Sequence, residues 1–340
     1  MDISKLNTTA VNMVAPGKGI LAADESSGTI KKRFDSINVE STENNRRDYR
    51  EMLLTTNGIE DYISGVILYD ETIKQEGSNG VPLVKLIQDK GIIPGIKVDK
   101  SGHLLAGTAS EQVTEGLDGL RDRLQEYGEL GARFTKWRAI YTIGDGIPSR
   151  YCSEANAHGL ARFAALSQEA GLVPMVEPEI LMDGTHDIGR CFEETESALR
   201  EMYYQLGTHK VILEGTILKT NMILSGKSAL NRADPEEVAE KTVACLKRAV
   251  PAAVPGVAFL SGGQSDSEAT LNLDSINRIA NTMDAPWQLS FSYGRGLQSS
   301  PLKAWMGDID NKSKVQDAFL HRASVTAAAR RGEYDASMDM

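Results

Sequence analysis

The chain has 340 residues, 41% of them hydrophobic, which is enough for one large core or two smaller ones. Lys and Arg number 37 against 47 Asp and Glu, so the formal net charge of -10 disfavours nucleic acid as a partner but leaves room for a local basic pocket. No apolar stretch exceeds strand length, the N-terminus lacks a signal-peptide run, and the three cysteines (Cys152, Cys191, Cys245) are scattered without C-x-x-C, so no membrane partner, a reducing compartment and a cytoplasmic location are expected.

Short β-rich runs alternate with helical patterns along the whole chain. The first run is 18–24, followed by a surplus segment around 40–60 and runs at 62–70 and 92–98. Val113, Leu117, Leu120, Leu124 and Tyr127 then recur at spacings of four and three, which predicts one helical face. Runs follow at 132–138, 172–179 and 211–218. Asp234-Pro235-Glu236-Glu237 predicts a capped helix start with proline in the first turn, and Ala239, Val243, Leu246 and Val250 continue its apolar stripe. The last runs are 256–261 and 288–292, before a C-terminal helical segment near 311–331.

Strands alternating with helices imply βαβ units and a parallel sheet. Eight of them predict an α/β fold of the (β/α)₈ type, a TIM barrel with N- and C-terminal helical extensions. No linker or low-complexity tract interrupts the chain, so residues 1–340 are read as a single domain. An open doubly wound sheet is the competitor. It calls for a glycine fingerprint after the first strand, and Asp24-Glu25-Ser26-Ser27-Gly28 is not one.

Charge concentrates at the C-terminal ends of these runs. Asp24 ends the first, Lys97 and Asp99 the third, Lys136 and Arg138 the fourth, Glu177 and Glu179 the fifth; Lys219 follows the sixth. Side chains at i and i+2 share a face of a strand, so the pairs project together. In a barrel, that end is where catalytic groups stand. Lys219 closes the apolar run Val211–Leu218. Burying an ammonium there is costly unless it is paired or neutralised, and an uncharged lysine amine is a nucleophile towards carbonyls. Lys136 and Arg138 are like charges placed to favour the uncharged form.

Two glycine-containing turns suggest phosphate binding: Ser261-Gly262-Gly263-Gln264-Ser265 after the seventh run and Ser292-Tyr293-Gly294-Arg295-Gly296 after the eighth. Backbone N–H groups and a helix N-terminus face an anion at such turns, and Arg295 can hold it with paired donors. Lys32, Arg33 and Lys97, with the hydroxyls of Ser26 and Thr29, are candidates for a second phosphate site across the mouth. The histidines form no close pairs in sequence and no H-E-x-x-H occurs, so no metal and no cofactor is expected.

Ala15–Ser26, Lys136-Trp137-Arg138, Val176-Glu177-Pro178-Glu179, Leu218-Lys219, Phe259–Gln264 and Phe291–Arg295, in this order over about residues 6–330, resemble the class I fructose-1,6-bisphosphate aldolases. The resemblance implies a metal-independent lyase of glycolysis and gluconeogenesis, usually a homotetramer, that reversibly cleaves fructose 1,6-bisphosphate to dihydroxyacetone phosphate and glyceraldehyde 3-phosphate. It implies Lys219 as the Schiff-base lysine, Glu177 as acid/base for carbinolamine dehydration and Asp24 as the base at the C4 hydroxyl. Lys136 and Glu179 would support the site electrostatically, with Arg138 on the phosphate side. Ser261, Gly262, Gly294 and Arg295 would bind the C1 phosphate, and Ser26, Thr29 and Lys97 the C6 phosphate. Thr220 stands where the family commonly has proline, and Thr29 where serine is common. The given sequence ends at Met340 without the terminal tyrosine of eukaryotic members. The same chemistry on sedoheptulose 1,7-bisphosphate, and a non-catalytic barrel scaffold binding a protein partner, stay open as alternatives.

Overall fold

The computed structural model describes residues 2–339. Its strands are β1 (Gly19–Ala23), β2 (Ile63–Leu68), β3 (Ile93–Lys97), β4 (Gly102–Leu104), β5 (Gln112–Thr114), β6 (Phe134–Tyr141), β7 (Val173–Ile180), β8 (Ile217–Thr220), β9 (Gly256–Phe259) and β10 (Gln288–Tyr293). Eight of them close a parallel barrel in the order β1-β10-β9-β8-β7-β6-β3-β2, while β4 and β5 form a separate antiparallel hairpin. The fold is therefore a (β/α)₈ TIM barrel, and the open doubly wound sheet is excluded.

The helices are α1 (Ile3–Met13), α2 (Ser27–Asp35), α3 (Glu43–Leu54), α4 (Asp70–Ile73), α5 (Leu83–Asp89), α6 (Leu120–Glu129), α7 (Arg150–Glu169), α8 (Ile188–Thr208), α9 (Pro235–Ala249), α10 (Asp266–Thr282), α11 (Arg295–Trp305) and α12 (Lys312–Arg330). α1, α3 and α12 form the surplus beyond the barrel repeat. α9 begins at the expected proline, where Asp234 accepts the Glu237 N–H. No helix is long and apolar enough to cross a membrane among the described residues.

Two apolar layers hold the fold. Strand residues that face outward pack under the helical ring. Inside the barrel, Ile20, Ala22, Ile67, Phe134, Val173, Met175, Ile217 and Ala258 form a separate cluster with Leu6, Ala10, Met13 and Val14. Leu6, Ala10 and Met13 recur at helical spacing, so α1 lays one apolar face across the N-terminal end of the barrel and plugs it. Phe134 fills the interior so closely that a Cβ on Gly95 would overlap its ring. Water is thus excluded from one end, and the polar strand ends line the other.

Two expectations require correction. The helix expected from Val113 starts only at Leu120. Gly116 (φ +125°) and Gly119 (φ +64°) turn the chain with left-handed backbone that a continuing helix does not adopt, and Val113 lies in the hairpin strand β5. The sixth strand is Ile217–Thr220 rather than 211–218, so Lys219 stands within it, not after it. Residues Leu213–Gly215 form a 3₁₀ turn instead. Its flanking backbone is satisfied by the Gln168 side chain, which accepts the Ile212 N–H and donates to the Ile212 and Gly215 carbonyls, so no strand partner is needed.

Candidate active site

Barrel strands β1, β3, β6, β7, β8, β9 and β10 deliver residues in or just past their C-terminal ends to the mouth. A cleft of about 700 Å³ opens there, and every residue given a catalytic or substrate-binding role in the sequence reading lines it. Its floor is a compact charge cluster. Lys219 is 4% exposed, and its Nζ lies 3.1 Å from Glu177 Oε1. Lys136 Nζ lies 2.8 Å from the other oxygen of the same carboxylate and 3.1 Å from Asp24 Oδ2. β6 and β7 pair with Arg138 opposite Glu177, and β8 and β9 pair with Lys219 opposite Ala258. Alternation along the strands therefore turns these side chains inward at neighbouring levels. Each oxygen of the Glu177 carboxylate is thus held at ion-pair distance from a buried ammonium.

Burial alone would raise the Asp24 carboxyl, but Lys136, Lys219 and Lys97 outweigh it and hold it at about 2. Glu177 is likewise driven down, because Lys136, Lys219 and Arg138 outweigh its burial. Burial works against the Lys136 ammonium, yet Asp24 and Glu177 dominate and push its titration up. Arg138 is raised in the same way by Glu179, whose Oε2 accepts from its Nε at 2.5 Å. Asp24 and Glu177 are thus carboxylates at neutral pH, each in contact with a cation that can exchange a proton or steady a charge.

The upper rim carries the anion-binding groups. On one side, Lys97 is held by Asp99 Oδ1 at 2.5 Å, and Ser26 and Thr29 face each other through their hydroxyls at 3.1 Å. On the other, α11 starts at Gly294 without any side-chain cap, so its first N–H groups remain for an anion. Arg295 is exposed there, Lys32 is exposed elsewhere on the cleft lining, and neither has an ion-pair partner among the described residues. The buried Ser292 hydroxyl has no hydrogen-bond partner among the described residues and faces the same cleft. Ser261 and Gly262 complete this side, in the turn after β9. Arg33, grouped by sequence with Lys97, instead brings Nη2 to within 3.4 Å of where a Gly294 Cβ would stand. It therefore borders the turn after β10.

Sequence reasoning missed three contributors. Glu25 is buried, pairs with Arg33, and accepts from Gln298 Nε2 at 2.8 Å. Its only sequence signal was its position beside Asp24. Gln112 and Thr114 reach the cleft from the hairpin, and Gly116 and Gly119 were the available sign that a turn, not a helix, lay there. Tyr334 lies outside the cleft: its hydroxyl donates to Asp339 Oδ2 at 2.7 Å and its ring is in the outer core. Among the described residues, no group of His, Cys, Asp and Glu is arranged to hold a metal.

Comparison with known proteins places this geometry. The family model described as "Glycolytic: Fructose-bisphosphate aldolase class-I" matches residues 5–340. A "Probable fructose-bisphosphate aldolase class 1" of Xanthomonas campestris pv. campestris is 56% identical over 335 residues, 98% of this chain and 99% of that protein. "Fructose-bisphosphate aldolase 4, cytosolic" of Arabidopsis thaliana is 54% identical over 330 residues, 97% of this chain and 84% of that protein. A solved fructose-bisphosphate aldolase from Plasmodium falciparum, in complex with TRAP and a small molecule inhibitor, is 46% identical with a TM-score of 0.96, covering 98% of this chain and 96% of that one. A buried lysine–carboxylate cluster at the mouth of a barrel and near-complete coverage by these relatives lead to one conclusion: the chain belongs to the class I fructose-bisphosphate aldolases.

Proposed function

We propose that the protein cleaves fructose 1,6-bisphosphate reversibly to dihydroxyacetone phosphate and glyceraldehyde 3-phosphate through a Schiff base on Lys219. The observation that carries the role of Lys219 is its contact with Glu177 at 3.1 Å on the buried floor of the cleft. That contact is a proton route. As the ammonium gives a proton to Glu177, the amine attacks the C2 ketone. Protonated Glu177 then donates to the hydroxyl that leaves the carbinolamine as water, and an iminium ion remains.

Asp24, ionised and beside Lys136, takes the proton of the C4 hydroxyl. The C3–C4 bond breaks, its electron pair flows into the iminium, and the aldehyde product departs. The remaining enamine is protonated at C3, and water releases dihydroxyacetone phosphate. Lys136 compensates whichever of Asp24 and Glu177 carries charge, and Glu179 holds Arg138 at the edge of the cluster. Arg295, Arg33, Ser261, Ser292 and the N–H groups at Gly262 and Gly294 receive one phosphate; Ser26, Thr29, Lys97 and Lys32 receive the other.

Borohydride reduction in the presence of dihydroxyacetone phosphate, followed by peptide mass mapping, tests this reading. Stable labelling is expected at Lys219, is lost in Lys219→Ala, and persists in EDTA. Labelling at Lys136 would reassign the nucleophile. We also propose a homotetramer in the cytoplasm. The family resemblance and the relatives named as cytosolic support this, and light scattering and cell fractionation test it.

A further inference from the structure

The seam between β7 and β8 is the one on which Glu177, Glu179 and Lys219 stand, and its backbone ladder is short. The two strands pair only at Met175 with Ile217 and Val176 with Leu218. On their other sides they remain paired much further, β7 with β6 as far as Ile180 and β8 with β9 as far as Thr220. Main-chain bonds therefore stop setting the width of this seam one residue before the catalytic side chains begin.

Side chains from the end of β8 bridge the gap. Asn221 is 5% exposed, and its Oδ1 accepts the Ile180 N–H at 3.0 Å. Its Nδ2 donates to the Met222 carbonyl and to Thr195 Oγ1 on α8, both at 3.1 Å. The amide is thus tied at both ends: one to β7 just past Glu179, the other to a helix behind the barrel. Thr220 Oγ1 reaches the Pro178 carbonyl, between the two glutamates, at 3.4 Å. An amide held on three sides inside a dry core has one available geometry.

We propose that Asn221 is a positioning residue that fixes the spacing between Glu177 and Lys219, and so governs proton transfer during imine formation rather than substrate binding. The proposal rests on reading Lys219 as the Schiff-base nucleophile. Asn221 touches neither substrate phosphate site, and a misplacement on the ångström scale affects a proton transfer steeply.

The test is timed borohydride trapping at saturating dihydroxyacetone phosphate, with its dissociation constant measured separately. Asn221→Ala is expected to slow label incorporation at Lys219 by about tenfold or more while the dissociation constant moves by less than about threefold. Thr195→Val, which removes only the outer anchor of the amide, slows it in the same direction by less. The double variant is no slower than Asn221→Ala alone, because both act through one element. Trapping at the wild-type rate in Asn221→Ala, or a loss confined to substrate affinity, overturns the proposal. If Asn221→Ala does not fold, unchanged trapping in Thr195→Val overturns it equally. Failure of the wild-type protein to trap at all would instead overturn the Schiff-base reading beneath it.

Discussion

At the scale of single residues, the cleft floor is a set of charges that only make sense together. Lys136 is shared by Asp24 and Glu177, and Glu177 is shared by Lys136 and Lys219. Removing any one leaves a buried charge short of its partner. Glu177→Gln retains shape but cannot relay a proton, and turnover is expected to fall by about 100-fold or more with a smaller change in KM, measured by a coupled assay. Asp24 has a linked effect on stability. Its carboxyl titrates at about 2 in the fold against an ordinary value of 3.8. A depressed folded value contributes stability above the unfolded one, here about 2 kcal/mol, and loses it as pH falls through the folded one. Thermal melts from pH 5 to 2 are expected to show this loss below about pH 4, and Asp24→Asn to flatten it.

At the scale of elements, the active end of the barrel depends on what closes the opposite end. Leu6 of α1 is fully buried against the interior cluster. Leu6→Ala is expected to cost about 3 kcal/mol in urea unfolding by opening a cavity under the strands that bear the site. Gly95→Ala forces a methyl into the Phe134 ring, and about 1–3 kcal/mol of stability should be lost with the unfolding slope unchanged. At the mouth, α10 and α11 begin differently. Ser265 and Glu268 cap α10 reciprocally, whereas α11 has no side-chain cap and follows the turn that holds Gly294. A capped start satisfies its own N–H groups, and an uncapped one leaves them for a ligand.

At the scale of the molecule, a chain of net charge -10 must attract a doubly phosphorylated substrate. It does so by concentrating Lys32, Arg33, Lys97, Lys136, Arg138, Lys219 and Arg295 around one cleft. Several of these are neutralised by resident carboxylates, so the attraction is local and carried by the exposed rim. KM for fructose 1,6-bisphosphate is therefore expected to rise between 0.05 and about 0.5 M salt, with kcat nearly constant, because rim charges are screened and the buried cluster is not.

The sequence by itself determined the barrel and singled out the charged residues that line its mouth. Eight β-rich runs alternating with helical stripes admit few other topologies, and charges placed at most strand ends survive only where a cleft uses them. The hairpin at β4 and β5 escaped it because apolar spacing at 113–127 mimics a helix, and glycine conformation decides otherwise. The register of Lys219 escaped it too, because Gln168, distant in sequence, satisfies the backbone at 212–215. Tertiary structure alone decided which carboxylate meets which cation, that Glu25 holds Arg33, and that Asn221 spans the β7–β8 seam. Apart from Glu25 with Arg33, those pairings join residues tens of positions apart or more, and periodicity carries no information about contacts that only closure of the barrel creates.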